Sequence, residues 1–243
     1  MPGAMMEVQT FANPKAWRGE LARLWMKRIQ AQPDMRICLA AGNTPEPVCR
    51  EMARLQQAGE VSFREAQIFV LDEYGEVPPE NPGRCANMIR HYLVDHVDLP
   101  AEQFHFLATE SDELDTMCAQ FDAAIGEGFD LAILGVGLNG HLGMNEPGTA
   151  PDTTTHRVEL HTSSVHSASV YGLSNDPPRW GITVGLKHLR DARTVWLLAS
   201  GTKKAEIVRK IVKGEISSNV PASLMRKHPD CTLFLDAEAA IQL

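Results

Sequence analysis

The 243-residue sequence predicts an α/β fold, a mostly parallel sheet with helices on both faces, as a single domain over residues 1–243. Two observations carry this. Short apolar runs at 37–40, 66–71, 131–134, 194–199 and 231–236 do not alternate with polar residues, as strands buried on both faces require. Most of these runs pass through a turn rich in Gly, Asp or Asn into a segment of helical periodicity, and strands alternating with helices make a covered parallel sheet. The chain is 44% hydrophobic, enough for a substantial core.

Residues 1–6 are expected to be disordered or extraneous to the domain. The first helix spans 13–32, with Asn13 as cap, Pro14 at the first position and Trp17, Leu21, Leu24, Trp25 and Ile29 on one face. Strand 36–40 runs into Ala41-Gly42-Asn43-Thr44-Pro45 and a helix over 47–57. A Gly turn opening a helix offers backbone N–H groups and the helix dipole to an anion, with the Thr44 hydroxyl as a further donor. The plainer alternative is an ordinary turn capped by Thr44; neither the GxxxxGK[ST] nor the GxGxxG spacing is present. Strand 66–71 ends in Asp72-Glu73-Tyr74, where an acidic residue serves either as a general base or as a helix cap. A Pro-rich loop, a helix over 85–94, a short strand at 104–107 and a helix over 111–125 capped by Ser111 follow.

The stretch 129–147, FDLAILGVGLNGHLGMNEP, starts as a buried strand and breaks into Gly135, Gly137, Gly140 and Gly143, with Asn139, His141, Asn145 and Glu146 among them. Glycines allow sharp turns and close approach to a ligand, and ligands bind beyond the carboxyl ends of the strands of an open α/β sheet. Residues 148–155 are expected to cover the site as a loop or lid. Residues 157–161 alternate as an edge strand. His156, His161 and His166 are equally spaced, but solvated or capped histidines fit this Ser-rich context better than metal ligands. An extended segment at 181–185 precedes strand 194–199, which leads through Ser200-Gly201-Thr202-Lys203-Lys204 into a helix, a second anion-binding candidate. A short helix from Pro221 and the last strand complete the chain.

The formal charge of −8, without a run of Lys or Arg, argues against nucleic-acid binding. No apolar stretch reaches the roughly 20 residues of a membrane span, and no secretory signal is evident. The five cysteines are scattered, without CxxC spacing, and read as buried thiols of a cytoplasmic protein.

AGNTP (41–45), LDEY (71–74) and GVGLNGHLGMNEP (135–147), in this order and spacing, resemble the glucosamine-6-phosphate deaminase and galactosamine-6-phosphate isomerase family, in the Rossmann-like group shared with 6-phosphogluconolactonases. VSF (61–63), DHVDLPAE (95–102), ITVG (182–185) and SGTKKA (200–205) extend the resemblance from Ile37 to Asp236. It implies Asp72 as the base that moves a proton between C2 and C1 of the opened sugar, His141 as the acid–base for ring opening, and Glu146 as its orienting partner. Asn139, where family members carry Asp or Asn, cannot titrate and would orient or hydrogen-bond. The substrate and its phosphate are expected on Ala41, Gly42, Asn43, Thr44, Glu73 and Gly137, with Lys204 as the cation. No metal or organic cofactor is expected, and the partner is a small sugar phosphate; a homo-oligomer is compatible with the sequence. Lactonases carry a similar Gly–His loop with an apolar ending, so Glu146 points to the aminosugar enzymes. A lactonase, or a non-catalytic sugar-phosphate sensor, is the alternative.

Three features depart from the family. The Arg that often holds the phosphate has no counterpart near Ser169 to Tyr171, with Arg179 as the candidate substitute. His156 and Val158 stand nearest to a basic pair used for allosteric activation, so no such regulation is expected. Asn43 replaces a common Gly, which narrows the sugar site.

Overall fold

A computed structural model describes residues 6–173 and 177–243, without the side chains of Ser163, His166, Ser167 and Ser169. The expectations for residues 1–5 and for the His166 side chain therefore lie outside the described residues. Seven parallel strands form the main sheet: β1 (Glu7–Phe11), β2 (Arg36–Leu39), β3 (Gln67–Val70), β5 (Phe104–His105), β6 (Leu131–Gly135), β9 (Thr194–Ala199) and β10 (Cys231–Asp236). Their spatial order is β1-β10-β9-β6-β2-β3-β5. The helices are α1 (Pro14–Ala31), α2 (Glu46–Gln57), α3 (Cys85–Tyr92), α4 (Leu114–Ile125), α5 (Thr162–Ala168), α6 (Leu186–Asp191) and α7 (Ala205–Lys213).

The apolar runs are continuous because the strands feed two cores at once. Successive side chains point to opposite faces, so Ile37, Leu39, Ile133, Trp196 and Phe234 pack with Trp17, Trp25 and Met52 of α1 and α2. Cys38, Ala132, Leu134, Val195, Leu197 and Leu233 pack on the other side with Phe121 of α4 and Ile207 and Ile211 of α7. The expected parallel sheet covered on both faces is the observed one. All five cysteines are buried and free. No helix among the described residues is long and apolar enough to cross a membrane.

A second sheet was not foreseen. β4 (Asp72–Tyr74), β8 (Trp180–Thr183) and β7 (His156–Glu159) pair antiparallel in the order β4-β8-β7, with Asp72 opposite Thr183. The chain leaves β3 at Val70, passes Leu71 and enters this sheet at Asp72, on the rim where the parallel strands end. β1 was likewise not foreseen; it pairs with β10 at the edge, and Met6, expected to lie outside the domain, packs against the core.

The helix caps show which local readings hold. Asn13 Oδ1 accepts from the Ala16 N–H at 2.9 Å, with Pro14 at the first helical position. Ser111, expected to cap its helix, instead accepts from the Glu113 N–H two residues on, and α4 starts only at Leu114. That short turn is the local alternative that Ser offers a backbone, and here it displaces the cap.

Candidate active site

A cavity of about 150 Å³ opens beyond the carboxyl ends of β2, β3 and β6, bounded by residues 40–45, by Asp72 and Tyr74, by the glycine loop after β6 and by Lys204. The glycine loop shapes its floor. The Gly137 N–H donates to the His141 carbonyl and the Gly140 N–H to the Gly137 carbonyl, both at 3.0 Å, which closes a tight turn through Gly140 at φ +86°. The imidazole lies directly on Gly137: a Cβ there would stand 2.2 Å from His141 Nε2. Close packing of ring on backbone explains that glycine.

Glu146 is the hub of this loop. Its Oε2 lies 3.5 Å from His141 Nδ1 and accepts from Asn139 Nδ2 at 2.9 Å. Its Oε1 accepts from the Ser164 hydroxyl and, at 3.4 Å, from the His161 N–H. Asn139 Oδ1 in turn accepts from the His141 N–H at 3.1 Å. Burial would raise the Glu146 carboxyl, but hydrogen bonds from His141, Ser164 and Asn139 outweigh it and hold the group down to about 2. Glu146 therefore stays an anion beside the imidazole at any ordinary pH. The Ser164 hydroxyl is also 3.3 Å from His141 Nδ1 and is buried. Ser164 escaped sequence reasoning, because one Ser in a Ser-rich stretch carries no pattern. Asn145 is scaffold: its side-chain N–H bonds go to the carbonyls of Leu142 and Val184.

Asp72 and Glu73, adjacent in sequence, have opposite fates. Asp72 faces the cavity. Burial, then the charge of Glu73, push its carboxyl up to about 7, against the pull of a hydrogen bond from the Cys85 thiol. Glu73 points the other way and is fully buried. It accepts from the N–H groups of Tyr74, Cys85 and Ala86 at 2.9 to 3.0 Å and pairs with Arg84 at 3.4 Å. Burial raises Glu73 while these donors pull it back. Glu73, expected among the substrate-binding residues, does not reach the cavity; its carboxylate holds the first turn of α3, where helix N–H groups lack internal partners.

The Gly turn after β2 forms the opposite wall, with Gly42 at φ +96° and the backbone of Ala41, Asn43 and Thr44 on the cavity. Lys204 enters from the turn after β9, its ammonium donating to the Val136 carbonyl at 2.6 Å. Burial lowers its pKa. Arg179 is exposed and does not line the cavity; its carbonyl takes the Leu160 N–H of the small sheet. Residues 148–155, expected as the cover, do not line the cavity either. Ser164 of α5 and Tyr171 just beyond it supply that wall instead. Among the described residues, no three His, Cys, Asp or Glu side chains group as a metal site.

A cavity at the carboxyl rim of a parallel sheet, with titratable groups entering from separate strands, is the arrangement of α/β enzymes that act on small molecules. The chain belongs to the family described as glucosamine-6-phosphate isomerases/6-phosphogluconolactonase, whose model matches residues 13–234. Within it the chain is an enzyme of the glucosamine-6-phosphate deaminase type. It is 33% identical over 237 residues to a glucosamine-6-phosphate deaminase of Bacillus pumilus, covering 96% of this chain and 98% of that one. It is 35% identical over 238 residues to the deaminase of Halothermothrix orenii, covering 97% and 99%. A solved monomeric glucosamine-6-phosphate deaminase superimposes with a TM-score of 0.94 at 30% identity, over 98% of this chain and all of that one. The 6-phosphogluconolactonase of Thermotoga maritima, at 19% identity and a TM-score of 0.76, shares the fold, covering 95% of this chain and 99% of that one.

Proposed function

We propose that the protein converts a 2-amino-2-deoxyhexose 6-phosphate, glucosamine- or galactosamine-6-phosphate, to the ketohexose 6-phosphate and ammonia. The observation that carries this reading is that Asp72, pushed up to about 7, shares one cavity with a His141 that is backed by the Glu146 anion. The reaction needs two separate proton movements. His141 takes the proton of the anomeric hydroxyl and supplies one to the ring oxygen, which opens the pyranose; Glu146 stabilises the imidazolium between these events. Asp72 then removes the proton from C2 and returns it to C1, and a base titrating near neutral pH is suited to both directions. Water adds at C2 as ammonia leaves, so substrate plus water balances ketose phosphate plus ammonia.

Asn139 and Ser164 hold Glu146 in place for this task. The phosphate rests on the turn of Ala41, Gly42, Asn43 and Thr44, Gly137 lines the floor under the sugar, and the Lys204 ammonium supplies the positive charge. The chemistry calls for no cofactor, and five buried thiols suit a reducing cytoplasm.

Incubating the protein with each epimer and measuring ammonia with a coupled assay tests the reading and selects the substrate. Ammonia release that is lost in Asp72→Asn is the expected result. Absence of ammonia from both epimers would refute it.

A further inference from the structure

The Gly turn that should receive the phosphate is not vacant. Tyr171, just beyond α5, reaches across the rim and puts its hydroxyl against Gly42, where an added Cβ would lie 2.6 Å from the phenolic oxygen. The Asn43 backbone N–H faces that oxygen. A neutral oxygen atom thus already occupies the position to which the turn directs its donor. We propose that the Tyr171 hydroxyl stands in for a phosphate oxygen in the Gly42–Asn43 turn and leaves it when a phosphorylated ligand binds, so that Tyr171 sets the affinity of this subsite. The proposal rests on the phosphate subsite assigned above.

Three further features support the exchange. A second cavity of about 590 Å³ adjoins the first, and the two share Gly42, Asn43, Met88 and Tyr171 as walls. The phenol borders both, so space for a displaced ring lies next to its present place. The segment carrying it is anchored: Ala168 and Leu173 are buried, and the Tyr171 carbonyl is packed where Gly83 leaves no room for a side chain, 2.4 Å from an added Cβ. The ring can therefore turn about its own side-chain bonds while the backbone stays. Energetically, a donor with no partner in a half-buried turn carries a desolvation penalty, which the phenol relieves in the unliganded protein. A phosphate oxygen carries full negative charge and makes the stronger bond with the same N–H, so it wins the competition at the cost of one neutral hydrogen bond.

Titrating inorganic phosphate into the full-length protein by calorimetry, for the parent, Tyr171→Phe and Tyr171→Ala, tests the inference. Phe keeps the ring and deletes the competing oxygen. Phosphate should bind about three- to tenfold more tightly to Tyr171→Phe, the worth of one neutral hydrogen bond, and Tyr171→Ala should also gain. Equal affinity in parent and Tyr171→Phe overturns the proposal. Weaker binding in Tyr171→Phe overturns it too, and shows that the hydroxyl donates to the bound anion. If the parent and both variants bind no phosphate, the phosphate subsite itself is wrong and the proposal falls with it. Binding by the parent without a gain in the variants removes only the role of Tyr171.

Discussion

Asp72→Asn should abolish ammonia release and stabilise the protein, because the property that fits Asp72 to act as a base also strains the fold. Burial and the charge of Glu73 carry its carboxyl from 3.8 to about 7. The folded chain therefore holds this proton more tightly than the unfolded chain does. The stability contributed by neutral Asp72 is fully present below about pH 4 and is lost as pH rises through 7, since ionising the group in place is unfavourable. Roughly three units at about 1.36 kcal/mol each give an upper bound near 4 kcal/mol. Solvent in the open cavity screens the charge and reduces the figure to about 2 kcal/mol. Asn is neutral throughout and escapes this loss. Urea unfolding followed by tryptophan fluorescence should therefore show the variant more stable than the parent by about 2 to 4 kcal/mol at pH 8. The gap should shrink steadily toward pH 4. In the parent, kcat/KM should fall as pH drops through about 7. A variant no more stable than its parent at pH 8 would show that the carboxylate is not desolvated, and the argument for its role as base would collapse.

Two further substitutions separate scaffold from chemistry. Glu73→Ala strips the acceptor from three backbone N–H groups and leaves Arg84 without its buried partner, at a cost of about 3 to 5 kcal/mol, read from the shift of the urea midpoint. It also removes the charge that raises Asp72, so the acid limb of the activity profile should move to lower pH in whatever protein still folds. Gly137→Ala places a methyl carbon 2.2 Å from His141 Nε2 and must displace the ring. Displacement of a reacting group by about an ångström is worth roughly 100-fold in kcat/KM, and the melting temperature should change little, because Gly137 does not use a backbone conformation closed to Ala. Unaltered kinetics would show that the imidazole does not work from the position seen.

What was legible in the sequence was what is contiguous in it. The turn after β2 and the loop after β6 are each a single stretch, and the strain of their glycines, Gly42 and Gly140 with positive φ, is written locally. The parallel sheet was legible for the same reason, since strands buried on both faces lack alternation. Ser164 and Tyr171 were not, because they reach the site from a short segment whose polar composition resembles any surface turn. Residues 148–155 looked the better cover on composition, yet the backbone carries them past the cavity. Nor could the strand pattern alone choose between Asp72 and Glu73; only the family resemblance put the base at Asp72. That choice depends on the pairing of β4 with β8, a contact across more than 100 residues. The strand β1 was hidden because an edge strand needs only one apolar face, and five residues are too few to show it.

The crossing from β3 into β4 carries an evolutionary consequence. Asp72 and Tyr74 face the cavity and Glu73 faces α3 only because the pleat alternates and the pairing of Asp72 with Thr183 fixes its phase. One residue inserted after Leu71 would exchange the two carboxylates, sending the shorter into the helix cap and the longer into the cavity, with composition barely altered. Related chains should therefore keep fixed the number of residues between the end of β3 and Asp72. In this segment, counting residues is a stricter test of shared chemistry than matching their identities.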